Sequence, residues 1–257
     1  MTSSLHKLNL CEIKEWQHSG YRDSNAVKYI FANLSDASYK LGIQDKQATL
    51  RRAKLDKEYT IVPEFTDVDA TTFYDHDCKK WIIVFRGTDI KNTLGRRAND
   101  LYTDLALAAG YLTSTARYKK AIQLFHRVAN RASAHGGKAN IILSGHSLGG
   151  RIAGGISQQF GVPAITYNEG SSPFDWKYNK TENKLTTHFT TNSLSNITLD
   201  PLSFASQLPG YSTGKHTIAM NDRSWYDIVT KGPLYDPRSD DESKGTHSIA
   251  GFAQGAL

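Results

Sequence analysis

Apolar positions recur along the chain with two periods, and the alternation between them outlines the fold. From Asn25 to Gly42, Val27, Ile30, Phe31, Leu34 and Tyr39 fall near helical spacing, which predicts an amphipathic helix with Gly42 as its C-cap. A polar, Lys-rich linker is expected next. Thr60 to Phe65 and Ala70 to Tyr74 have the β-branched and aromatic content of strands. A DHDCKK turn then leads into Trp81 to Phe85, a continuous apolar run suited to a central strand buried on both faces. Between Ser114 and Ala134, Tyr118, Ala121, Ile122, Phe125, Val128 and Ala129 share one helical face, with Lys119, Lys120, Arg127 and Arg131 on the rest; Gly136 and Gly137 end this helix. Asn140 to Leu143 reads as a short buried strand, Leu148 to Phe160 as a helix rich in small residues, and Val162 to Tyr167 as a further strand. The polar stretch Asn179 to Asn192 is expected to be an exposed loop. This rhythm predicts an α/β protein whose mostly parallel sheet carries helices on both faces. There is no internal repeat and no low-complexity segment.

A chain of 257 residues with this pattern is expected to form a single domain, with residues 1–24 as an N-terminal extension. Its longest apolar runs, Trp81 to Phe85 and Leu105 to Ala109, fall far short of a membrane span. Glu12, Lys14 and Glu15 interrupt the apolar core that a Sec signal peptide needs, so the expected location is cytoplasmic or outside by a non-Sec route. Cys11 and Cys78 are the only cysteines, too few for a disulfide scaffold, and are expected to be free thiols or packing residues.

The net charge of +6 is unevenly placed. Residues 1–78 hold 10 basic and 12 acidic side chains, residues 79–138 hold 12 and 3, and residues 139–257 hold 9 and 10. The middle segment therefore carries the whole basic excess. It fits either a solvated helix face or a surface facing an anionic partner, nucleic acid or a membrane with acidic lipids.

Candidate chemistry decides between them. Ser144-Gly145-His146-Ser147-Leu148-Gly149-Gly150 places G-x-S-x-G directly between a buried strand and a helix. A serine at such an elbow is strained, and the residues two before and two after it must be small for strand and helix to approach; Gly145 and Gly149 meet that need. Ser147 Oγ would then project above the sheet edge, and the first amides of the helix, led by Leu148 N–H, would face a developing oxyanion.

Four segments together resemble the class 3 lipases, the fungal-lipase-like branch of the α/β-hydrolases that includes bacterial phospholipases A1. They are Leu34-Ser35-Asp36-Ala37-Ser38-Tyr39, Val84-Phe85-Arg86-Gly87-Thr88, the Gly145 to Gly150 elbow, and His247-Ser248-Ile249. They span most of the chain, and F-R-G-T followed by G-H-S-L-G-G is specific to this family. The resemblance implies an α/β-hydrolase fold and a serine esterase of lipids that needs no metal or organic cofactor. It implies Thr88 as the second oxyanion donor. Arg86 reads as a structural guanidinium pairing with a carboxylate such as Asp104.

Among nine histidines, His247 is the preferred base: it follows an acidic loop, opens a short apolar helix and matches the family's H-S-I element. His216 is the competitor and reads as a structural histidine on a strand; His146 is the variable elbow position. Asp200 is the preferred acid, emerging after Ile197-Thr198-Leu199 where Pro201 blocks continuation, in the D-P-x-S setting that the family uses. Asp222 and Asp227 are alternatives, and Asp175 follows the elbow too closely. In the implied mechanism Ser147 forms an acyl-enzyme, His247 moves the proton and Asp200 fixes the histidine's tautomer.

The family's lid corresponds here to residues 89–100, where only Ile90 and Leu94 are large and apolar while Lys91, Arg96 and Arg97 are basic. Such a lid, with Leu94, Arg96 and Arg97 at the interface, favours phospholipid and transient binding to an anionic membrane surface, each cation contributing about 1 kcal/mol. A soluble small-ester esterase or an acyltransferase would use the same machinery. A nucleic-acid binder lacks any recognised motif, so no nucleic-acid partner is expected, and a non-catalytic hydrolase fold would require a broken triad.

Overall fold

The computed structural model describes residues 25–87, 115–135, 137–170, 185–191 and 215–219. Helices α1 (Asn25–Tyr39) and α2 (Ile43–Arg52) precede strands β1 (Tyr59–Ile61), β2 (Ala70–Asp75) and β3 (Lys80–Phe85). Helix α3 (Ala116–Ala132), β4 (Ile141–His146), α4 (Leu148–Phe160), β5 (Ala164–Tyr167), β6 (Thr186–Thr191) and β7 (Lys215–Ala219) follow. The seven strands form one sheet in sequential order. β1, β2 and β3 pair antiparallel, and β3 through β7 run parallel.

Alternation along the central strands divides the core into two layers. Trp81, Ile83 and Phe85 of β3, with Ile141 and Leu143 of β4, face α3 and α4 and pack on Phe125, Val128, Ile152 and Ile156. Ile82, Val84 and Ile142 face the other way, onto Phe31, Leu34 and Leu50 of α1 and α2. Continuous apolar runs thus arise where both sides of a strand are covered, as expected. The result is a mixed sheet between two helical layers, the helix-covered α/β arrangement that the sequence rhythm predicts.

Three local expectations are corrected. The supposed linker after Gly42 is helix α2, with Gly42 in the N-cap position rather than serving as a C-cap; its buried side chains are Lys46, Thr49 and Leu50, so its apolar periodicity is almost invisible. The strand expected from Thr60 to Phe65 stops at Ile61, and Pro63 starts a short 3-10 turn. The loop expected from Asn179 to Asn192 contains β6, whose Thr-rich sequence suits a pleated surface and whose Thr186, Thr187, His188 and Phe189 are buried. His216 lies on a strand, β7, as expected.

Cys78 is disulfide-bonded rather than free. The chain's other cysteine, Cys11, lies outside the described residues. Among the described residues no helix is long and apolar enough to cross a membrane.

Candidate active site

Strand β4 ends at His146 and α4 begins at Leu148, leaving Ser147 alone at the joint. Its backbone has φ 57° and ψ −128°, a region that non-glycine residues occupy only when surrounding structure enforces it. The enforcement is visible in the main chain. Ser147 N–H donates to the Tyr167 carbonyl at 3.0 Å, and the Ser147 carbonyl accepts from Arg151 N–H at 3.1 Å and Gly170 N–H at 3.2 Å. The serine hydroxyl makes no capping bond to its own helix.

Close approach explains the glycines on either side. A Cβ on Gly145 would lie 2.4 Å from the Gly149 backbone, and one on Gly149 would lie 2.0 Å from the Phe85 carbonyl oxygen. Strand β3, strand β4 and the first turn of α4 therefore meet backbone to backbone. Gly87 closes the same junction: a Cβ there would lie 2.1 Å from Tyr39 Oη, 2.7 Å from the His146 carbonyl oxygen and 3.1 Å from Ser147 Cβ. The Phe85-Arg86-Gly87 turn is thus seated against Ser147, and the residue after it is Thr88, which lies outside the described residues.

Side chains hold that turn in place. Arg117 of α3 donates through Nη2 to the carbonyls of Arg86 and, at 3.3 Å, of Gly87. Its Nε lies 3.7 Å from Asp69. Burial lowers the Arg117 pKa, and the neighbouring Asp69 charge works against that shift. Arg86 is buried, donates to the Val68 carbonyl at 3.4 Å and lies 5.9 Å from the centre of the Tyr39 ring; its expected partner Asp104 is outside the described residues. His146 Nδ1 and Tyr39 Oη form a 2.7 Å hydrogen bond.

A second polar group sits behind the elbow. Arg151 of α4, Glu169 after β5, and Thr166 and His188 of β5 and β6 are all buried. Arg151 Nη1 lies 3.2 Å from Glu169 Oε1, and His188 Nδ1 lies 2.6 Å from Glu169 Oε2. Thr166 Oγ1 reaches both Glu169 Oε2, at 3.3 Å, and His188 Nδ1. Sequence reasoning passed over all four. The available signal was a single charged residue inside each of two otherwise small or apolar stretches, Leu148 to Ile156 and Val162 to Gly170.

Of the sequence-predicted site residues, Ser147 lies between β4 and α4 and Leu148 is the first residue of α4. Thr88, Asp200, His247, the lid residues Leu94, Arg96 and Arg97, and the alternatives Asp175, Asp222 and Asp227 lie outside the described residues. Among the described residues no group of three or more His, Cys, Asp or Glu side chains is placed to hold a metal ion.

The basic middle segment also changes character. Lys120 pairs with Asp67 and Asp69, at 3.2 and 2.8 Å, and Arg117 faces Asp69. Burial raises the Asp67 carboxyl, but hydrogen bonds from Asp69 N–H and Lys120 outweigh it and hold the pKa below the ordinary value. Lys80 is buried and donates to Asn140 Oδ1 at 3.0 Å. Part of the segment's excess charge is therefore engaged within the protein.

Lipase II from Rhizopus niveus is similar in structure at 18% identity, with 72% of this chain and 73% of that one covered and a TM-score of 0.41. No curated protein matches the chain. The model of a phospholipase-like family, the Tle-like phospholipase domain, matches residues 30–172, more than half of the chain, from α1 through the elbow to the end of β5. The chain belongs to the Tle-like phospholipase domain family.

Proposed function

We propose that the protein is a serine carboxylic-ester hydrolase that cleaves phospholipids of the phospholipase A1 type through an acyl-enzyme on Ser147. One observation carries the reading: a strained serine at a strand-to-helix elbow, above the start of α4 and 3.1 Å from where a Gly87 Cβ would stand. On this reading the nucleophile has oxyanion donors on two sides, Leu148 N–H from the helix and Thr88, the residue that follows Gly87.

In the reaction, Ser147 Oγ attacks the ester carbonyl as His247 takes its proton, while Asp200 holds the imidazole and stabilises its charged form. Collapse of the tetrahedral intermediate expels the alcohol, which is the lysophospholipid, with the proton returned from His247. Water activated by the same histidine then releases the fatty acid. Ser147 is only 3% exposed, and residues 89–100 are proposed as a lid that opens to admit substrate. Arg117 and Lys120 pair with Asp67 and Asp69, and attraction to an anionic surface is assigned to Lys91, Arg96 and Arg97 of this lid.

Hydrolysis of p-nitrophenyl acyl esters tests the nucleophile: Ser147→Ala is expected to abolish it, and full activity in that variant would refute the assignment. Phosphatidylglycerol vesicles should be cleaved faster than phosphatidylcholine vesicles or tributyrin at low salt, with the advantage shrinking as salt rises. Equal rates on anionic and neutral vesicles would remove the electrostatic part of the proposal.

A further inference from the structure

The buried Arg151, Glu169, His188 and Thr166 cluster reaches the nucleophile elbow along two separate paths. Along the helix, Arg151 N–H bonds the Ser147 carbonyl; along the chain after β5, Gly170 N–H, next to Glu169, bonds the same carbonyl. The two paths are locked together by the 3.2 Å ion pair between Arg151 and Glu169. His188 extends the lock to β6 through its 2.6 Å contact with Glu169. When Nδ1 carries the proton, His188 donates to the Glu169 carboxylate.

Burying such groups is costly, and an apolar replacement of similar volume is often as stable or more so. Stability alone therefore gives little reason to place them here. Their position does give one: Ser147 occupies a conformation that persists only when its surroundings over-determine it, and this cluster joins α4 to the segment after β5, both of which bond the Ser147 main chain, and ties them to β6. We propose that Arg151, Glu169 and His188 are positioning residues, a buried charged clamp that holds the Ser147 elbow against the ends of β5 and β6. The catalytic readout of this inference rests on Ser147 being the nucleophile; the structural readout does not.

The test compares Glu169→Gln, the apolar double variant Arg151→Met/Glu169→Leu, His188→Asn and His188→Leu. Measurements are thermal unfolding, kcat and KM on a p-nitrophenyl ester, and amide hydrogen exchange of peptides covering residues 141–152 and 164–170. Glu169→Gln is expected to lower stability and kcat. The double variant should regain the unfolding temperature while kcat stays roughly ten- to hundred-fold down with KM within about two-fold, and exchange should rise at the elbow alone. Asn at 188 keeps a donor near the Nδ1 position and should retain most activity; Leu should not. A double variant with wild-type kcat and wild-type elbow exchange would overturn the proposal, as would equal activity of the two His188 variants with unchanged exchange if the double variant fails to fold. Should Ser147→Ala prove fully active, the proposed function falls, and elbow exchange alone decides for or against the clamp.

Discussion

Replacing Gly149 by Ala separates two opposing effects that the structure makes unequal. In an ordinary helix interior the change stabilises by up to about 1 kcal/mol, because Ala has the better helix propensity. At this position the new Cβ would stand 2.0 Å from the Phe85 carbonyl oxygen, 2.6 Å from the Phe85 carbonyl carbon and 2.8 Å from that of Arg86. All three are main-chain atoms of β3 and its turn, so no side chain can swing aside. Ordinary contact begins near 3.4 Å, so α4 or the turn must withdraw by about 1.4 Å. Overpacking of this kind costs about 1–3 kcal/mol, and the rigidity of backbone on both sides places it at the upper end. The withdrawal also carries Ser147 and Leu148 away from Gly87 and the turn before Thr88, and a misplacement of about 1 Å costs roughly 100-fold in rate. Gly149→Ala should therefore lose about 2 kcal/mol net in urea unfolding and roughly two decades of kcat on a p-nitrophenyl ester. Gly155→Ala is the internal control. The nearest atoms to its Cβ would belong to the Tyr118 side chain, Oη at 3.1 Å and Cε2 at 3.2 Å, and a shift of a few tenths of an ångström relieves them. The helix-propensity gain should then leave Gly155→Ala within about 0.5 kcal/mol of wild type with normal kcat. Wild-type stability and rate in Gly149→Ala, or equal losses in both variants, would refute the backbone-contact reasoning.

Three further outcomes follow from the geometry. Lys46 is buried, with Nζ donating to Thr71 Oγ1 at 2.8 Å and the Ser38 carbonyl at 3.2 Å, and desolvation first, then the Arg86 charge, lower its pKa to about 8. The unfolded chain therefore holds the proton more tightly between about pH 8 and 10.5, so this group's penalty is full below pH 8 and is relieved as pH rises. Wild type should gain on Lys46→Met by no more than about 3 kcal/mol across that window in denaturant titrations, and a flat difference would contradict the burial effect. Arg117→Met removes the donor to the Arg86 and Gly87 carbonyls and should cost about 1–3 kcal/mol of stability and slow ester hydrolysis, read by urea unfolding and kcat. Reductant should lower the wild-type unfolding temperature, by the equivalent of about 2–4 kcal/mol, and leave Cys78→Ser unaffected.

What the sequence pattern revealed and what it concealed share one physical cause. Reading periodicity equates burial with apolarity, and it succeeds where that holds. Trp81 to Phe85 became the sandwiched strand β3, and Leu148 to Phe160, packed through Ile152 and Ile156, became α4 with the expected bounds. The elbow was legible for a related reason, since backbone crowding admits only glycine at positions 145 and 149. The misses are buried polar groups. Helix α2 hides behind Lys46 and Thr49, strand β6 behind Thr186, Thr187 and His188, and the clamp behind Arg151 and Glu169, each of which composition assigns to the surface.

The same rule limits what segment charge can reveal about binding. A count of 12 basic against 3 acidic residues over positions 79–138 implies a cationic surface only if their partners lie within the segment. Lys120 and Arg117 instead meet Asp67 and Asp69, which belong to the acidic segment before it, and Lys80 is buried against Asn140. Folding thus brings together charges that the linear count keeps apart. The proposed attraction to anionic lipid is therefore assigned to Lys91, Arg96 and Arg97 rather than to Lys80, Arg117 and Lys120. Neutralising those three should abolish the preference for phosphatidylglycerol vesicles, whereas neutralising Lys120 should reduce stability and leave that preference intact. The reverse result would return the interface to α3.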